Sequence, residues 1–208
     1  MKKIPLVFLS VTAFLSFVFF SFLVHKDLFT HFDFDTTVKL QDKISMRFAE
    51  PFTVLSSIGN FEVMLVILIV LLVIKRKFIR GVFVLFFFVI IHVFELYGKT
   101  FVTHPPPPEF FLRVKRIFNF PQFYVRSEFS YPSGHAARTA FLSILLVSFI
   151  LSSKKLSKNA KNILIVIILF FDFLMFVSRP YLGEHWMTDV IGGALLGLAM
   201  ALASLVFI

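Results

Sequence analysis

A chain of 208 residues that is 58% hydrophobic, holds 32 phenylalanines and has a mean hydropathy of +0.90 carries more apolar side chain than a soluble domain needs. Its net charge of +9 raises the question of nucleic acid, which the placement of the charges answers in the negative: they sit in short clusters between apolar runs. The lack of cysteine excludes disulfides, thiolate nucleophiles and sulfur-based zinc sites, and is compatible with an active face in an oxidising compartment.

In chain order, Met1 to Val24 opens with two lysines and then runs apolar for the width of a bilayer. It exceeds the apolar core of a signal peptide and lacks a small-x-small cleavage site, so it reads as a retained first span. His25 to Pro51 mixes charges with Val38, Ile44 and Phe48 and predicts a short amphipathic helix in the membrane interface, entered near Asp35, Thr36 and Thr37 as cap residues; a solvated connector is the alternative. Phe52 to Ile74 is the second span, irregular at Gly59 and Asn60, and Phe78 to Thr103 the third, stopped by the prolines 105–108. A long polar and aromatic connection, 109–132, leads to the fourth span, His135 to Ser152. Ile163 to Val177 and Trp186 to Ile208 are the fifth and sixth. No internal repeat of 20–50 residues is visible, so the expectation is one all-α domain over 1–208, a polytopic membrane protein built as a six-transmembrane-helix bundle with a short interfacial helix.

Ten basic residues (Lys2, Lys3, Lys75, Arg76, Lys77, Arg80, Lys154, Lys155, Lys158, Lys161) cluster on alternate connections with no acid among them. The positive-inside rule makes those ends cytoplasmic and gives the opposite, outer face to loops 25–51 and 104–134 and to the Ser178–His185 turn.

The chemistry-bearing residues converge on that outer face. With His185 at the start of a helix, Asp189 lies one turn on, where a carboxylate fixes the imidazole tautomer and leaves the second nitrogen as an electron-pair donor. Arg179 adds a planar cation suited to phosphate oxygens. Tyr131 to His135 opens the fourth span, with Ser133 and Gly134 at a helix N-terminus that favours an anion and His135 placed to protonate a leaving oxygen. His92, Glu95 and Lys99 share one stripe of the third span, with Glu95 placed to restrain Lys99. Asp172 either holds Arg179 along its own helix or bridges to another. Capping of a membrane helix is the plainer reading of His185 and Asp189, and snorkelling that of Lys99. A histidine-rich face without a carboxylate cluster disfavours a two-metal hydrolase and fits a covalent route through histidine.

These residues resemble the type 2 phosphatidic acid phosphatase superfamily, which also includes vanadium haloperoxidases and bacterial undecaprenyl-diphosphate phosphatases. Its three motifs read Lys-x6-Arg-Pro, Pro-Ser-Gly-His and Ser-Arg-x5-His-x3-Asp. Pro132 to His135 matches the second; Ser178, Arg179, His185 and Asp189 match the third, with Gly183 between them. The first departs: counting from Lys99, the arginine position falls on Pro106, so His104, or Arg113, Arg116 or Arg126 folding back, is the expected replacement. The catalytic motifs lie within 99–193. The resemblance implies a metal-independent membrane phosphatase of lipid phosphates or diphosphates, undecaprenyl diphosphate among them, with no cofactor. It makes His185 the nucleophile of a phosphohistidine, Asp189 its orienter and His135 the proton donor, with Lys99, Ser133, Gly134, Arg179 and His104 holding the phosphoryl group. Loop 104–134 would grip the headgroup. The expected partners are the lipid substrate and the bilayer. Rivals are a lipid phosphotransferase using the same phosphohistidine, a non-enzymatic transporter or scaffold, and, against the membrane character, a vanadate-dependent peroxidase.

Overall fold

The computed structural model describes residues 3–76, 78–113 and 128–208, and the described residues are helical with no strand among them. The helices are α1 (Lys3–His25), α2 (Thr30–Lys43), α3 (Ala49–Ile58), α4 (Phe61–Ile74), α5 (Phe78–Phe101), α6 (Gly134–Ser152), α7 (Lys158–Tyr181) and α8 (Met187–Leu205). Five of them, α1, α5, α6, α7 and α8, are long and apolar enough to cross a membrane, and the count is six if the bent α3–α4 pair is one span. The all-α, multi-span expectation is met.

Three local expectations are corrected. The second span is not one rod: it breaks by 53° between α3 and α4. The physical cause is at Gly59, whose N–H closes α3 on Ser56 O at 2.9 Å, and at Asn60, whose extended backbone starts the chain on a new axis. The interfacial helix begins at Thr30, upstream of the expected caps at 35–37, and so has Asp33 in its first turn. Finally, α7 continues through Ser178, Arg179, Pro180 and Tyr181, so only 182–186 turn, and His185 stands before α8 rather than in its first turn.

Helix α8 is the hub, with most of its residues buried against α6, α1 and α5, while α1 and α7 turn large side chains such as Phe8, Phe19, Phe170 and Phe173 outward. Within lipid, outward apolar faces supply no drive for association, so helices join through close packing of small residues. The α6–α8 seam shows this. A Cβ on Gly193 would lie 2.3 Å from Ser133 O, and one on Gly197 2.2 Å from Ala137 O. That approach, continued by Ala136, Ala137 and Ala140, draws the starts of α6 and α8 together, and Ser133 N–H donates to Asp189 O at 2.9 Å. Helix α1 locks onto α8 by Ser10 Oγ donating to Ala199 O at 2.9 Å, and its Phe17 stacks on Tyr131 at 6.2 Å.

Candidate active site

The three motif segments are tied to one another by backbone. Ser130 donates through N–H (3.0 Å) and Oγ (3.1 Å) to His104 O, which fastens the end of the α5 connection to the segment before α6. Trp186 Nε1 donates to Pro105 O at 2.7 Å, fastening the same connection to the start of α8. With the Ser133–Asp189 bond, the starts of α6 and α8 and residues 104–105 form one rigid end of the bundle.

At that end His185 Nδ1 lies 3.1 Å from Asp189 Oδ2, and the Trp186 N–H donates to the same oxygen at 3.0 Å. Asp189 is fully buried and thus acts at once as helix cap and imidazole orienter. With the proton on Nδ1, Nε2 of His185 keeps a lone pair. Burial pushes the His185 pKa down, and Arg179 and Lys99 add to this; the hydrogen bond to Asp189 opposes without prevailing, so the ring is below its ordinary value. His135 stands in the first turn of α6, its Nε2 3.0 Å from Asn60 Oδ1. It is close enough to His185 and Arg179 to feel their charge.

The cations come next. Arg179, on the last turn of α7, is buried, pairs with Glu184 and donates to Ser56 Oγ. Lys99 Nζ lies 3.0 Å from Glu95 Oε1, the restraint its i, i+4 spacing implies. Glu95 Oε2 also receives Arg138 NH1 at 2.6 Å, and Arg138 Nε donates to Gly59 O at 3.2 Å. This carboxylate is pressed against Gly134: a Cβ there would meet its atoms at 2.2–2.3 Å. The glycine at the start of α6 therefore leaves room for an anion, and in this structure the Glu95 carboxylate takes it. Ser133 caps α6 by accepting from Ala136 N–H at 3.5 Å.

His104 does not join that cluster. Its Nδ1 is 2.8 Å from Asp189 Oδ1 and its Nε2 3.5 Å from Asp33 Oδ2, so both ring nitrogens face carboxylates and neither is left for a phosphoryl oxygen. Arg113 does not fill the gap in the first motif either: it reaches Gln41 O, Ile44 O (3.2 Å) and Tyr181 Oη (3.2 Å). Arg116 and Arg126 lie outside the described residues, as does most of the connection expected to grip the headgroup. Asp172 takes the second of its two readings, accepting from Ser143 Oγ of α6 at 2.6 Å.

Five participants escaped the sequence reading: Asp33, Ser56, Asn60, Arg138 and Glu184. Arg138 left a signal, a cation inside an apolar run one turn from His135. Asn60 left a fainter one, beside a glycine within a span. Asp33 left none, since its helix is rich in charges and only the fold turns this one inward.

A profile of the PAP2 superfamily matches residues 78–208. Phosphatidylglycerophosphatase B of Bacillus subtilis (strain 168) is 35% identical over 74 residues, a stretch that spans only 36% of this chain and 36% of that protein. The fold is similar to the crystal structure of a transmembrane PAP2-type phosphatidylglycerolphosphate phosphatase from Bacillus subtilis (TM-score 0.74, 22% identity, 95% of this chain and 94% of that one). It is also similar to Aquifex aeolicus LpxE (TM-score 0.62, 21% identity, 84% and 94%). The chain belongs to the PAP2 superfamily and is a multi-pass membrane protein.

Proposed function

We propose that this membrane member of the PAP2 superfamily is a lipid phosphate phosphatase that works through a phosphohistidine at the outer face of the bilayer. The observation that carries the reading is the His185–Asp189 pair at 3.1 Å, buried beside His135 and Arg179. In the first step the Nε2 lone pair of His185 attacks phosphorus, the bond from phosphorus to the leaving oxygen breaks, and His135 gives that oxygen its proton. The Nδ1–H of His185 stays on Asp189, whose negative charge stabilises the cationic ring. In the second step water attacks phosphorus, the Nε2–P electron pair returns to nitrogen, and His135 takes the proton from water.

Lys99, Arg179, the Ser133 hydroxyl and the backbone at Gly134 hold the phosphoryl oxygens as charge shifts between them. The phosphoryl group then takes the place over Gly134 that the Glu95 carboxylate fills, and Lys99 exchanges one anion for the other. Cations and hydroxyls rather than grouped carboxylates meet the substrate, which supports metal-independent chemistry. The basic turns at the other end of the bundle support the outward orientation.

Two headgroups compete. Phosphatidylglycerol phosphate is supported by the names of the Bacillus relatives, and undecaprenyl diphosphate by the wider family resemblance. Purified protein in detergent, given each lipid in turn, is expected to release phosphate from at least one. Transfer of labelled phosphate to an added alcohol or lipid in place of water would make the chain a transferase. A panel on which His185→Ala and the wild type behave alike would refute the reading.

A further inference from the structure

Asp33 is 1% exposed although it belongs to interfacial helix α2, upstream of the family-matched residues 78–208. A carboxylate buried to that degree requires partners. It accepts from Thr188 N–H at 2.9 Å and Thr188 Oγ1 at 2.6 Å, and faces His104 Nε2 at 3.5 Å. His104 presents Nδ1 to Asp189 Oδ1 at 2.8 Å, and the other oxygen of Asp189 meets His185 at 3.1 Å. Helix α2, the connection after α5 and the start of α8 thus supply a row that runs Asp33, His104, Asp189, His185. An imidazole with an acceptor at each nitrogen can donate to both only as imidazolium. A neutral ring would turn a lone pair on one carboxylate.

We propose that His104 is a positioning residue, held as a cation between Asp33 and Asp189, which fixes the Asp189 carboxylate on His185 and keeps the His185 ring weakly basic. The inference rests on His185 being the nucleophile. Asp189 shares its charge between two imidazoles, so it stabilises a positive His185 less than an unshared carboxylate does. His185 accordingly keeps its lone pair to lower pH. The same cation disfavours the charged ring of the phosphohistidine and so assists return of the Nε2–P electron pair to nitrogen when water attacks.

The surroundings are consistent with a cation. Burial opposes charge on His104, but its hydrogen bonds to Asp189 and Asp33 prevail and raise the pKa to about 9. The groups that face it are Asp33 from α2, Asp189 from α8 and the edge of the Tyr131 ring at 6.5 Å, whose hydroxyl is engaged with Ser21 of α1 at 2.9 Å.

The test has two arms on the full chain in detergent. In the first, histidine carrying a carbon-13 label is titrated by NMR, the His104 signal being the one lost in His104→Asn. The expected midpoint is near 9 and falls by at least about one pH unit in Asp33→Asn, which removes one of two carboxylate partners. A wild-type midpoint at or below about 6.5, the ordinary histidine value, overturns the proposal. In the second arm, kcat is followed against pH. His104→Asn is expected to lose about tenfold in kcat at unchanged KM. Its acidic limb should move up by about one pH unit, because Asp189 then shares its charge with no other imidazole than His185. His104→Gln, which keeps a donor to Asp189, should regain most of the rate while its limb stays displaced. A merely structural residue would lower the folded fraction and leave the limb where it is, and that result, or wild-type kinetics in His104→Asn, overturns the proposal. Full turnover by His185→Ala would instead sink the reaction assigned above, while the NMR midpoint would still report the state of His104.

Discussion

Gly59→Ala isolates the placement of His135, the proposed proton donor. Gly59 ends α3 at φ −73°, open to any residue, so the substitution brings no backbone strain. The new methyl would stand 2.6 Å from His135 Cδ2, 3.2 Å from Cγ and 3.3 Å from Cβ. Carbon atoms rest at about 3.5–4.0 Å, so the ring must retreat by about 1 Å. Its bond to Asn60, 3.0 Å long and anchored on the very next residue, has no slack to follow. A misplacement of about 1 Å costs about 100-fold in rate. We therefore expect kcat to fall about 100-fold, with KM little changed because Lys99 and Arg179, the proposed phosphoryl ligands, stand on other elements. Overpacking costs about 1–3 kcal/mol, and about 1 kcal/mol of that is offset by replacing a helix-terminal glycine, so the protein should remain folded. The assay is phosphate release from a short-chain lipid phosphate in detergent, with thermal unfolding measured in parallel. A folded Gly59→Ala protein with kcat within threefold of wild type would refute the placement of His135.

Arg138→Met removes one partner of the buried Glu95 carboxylate at 2.6 Å and should cost about 3 kcal/mol in thermal unfolding, a loss that Arg138→Met with Glu95→Gln largely restores; no recovery in the double variant would contradict the pairing. Stability should peak near neutral pH. His185, depressed by burial, has a contribution that is lost as pH falls below the unfolded value of about 6.5, whereas His104, raised by its two carboxylates, contributes fully below that value and loses its part as pH rises through about 9. Unfolding temperatures across pH 5–10 check both signs, and a monotonic trend would contradict one of them. Activity should survive an excess of chelator, since the proposed chemistry uses cations of the chain to meet the phosphate; loss restored by a divalent ion would overturn the proposed metal-independent chemistry.

Much of the architecture was legible because each span is a long apolar run bounded by charge or proline, and bilayer thickness converts such runs into helices. The His185–Asp189 contact was legible because an i, i+4 spacing survives whether the first residue is in the helix or caps it from outside, as His185 does. What escaped depends on approach between distant segments. Asp33 and Thr188 are 155 residues apart, and nothing local tells an inward-facing Asp33 from the exposed acids of α2. The break at Gly59 and Asn60 was visible as an irregularity, but that it delivers an amide to His135 follows only from the packing of α4 on α6. His104 was singled out for the wrong partner. Its nearness to Pro106, where the first motif would place an arginine, suggested phosphate, whereas the extended segment after α5 brings the ring to Asp189.

The central claim, that His185 carries the phosphoryl group, is tested most directly by rapid acid-free quenching of the enzyme during turnover, proteolysis and mass spectrometry. The account predicts an acid-labile, base-stable phosphate on the peptide containing residue 185, absent from His185→Ala and accumulating in any variant that slows attack by water. Turnover with label on another residue, or phosphate release undiminished in His185→Ala, would contradict it.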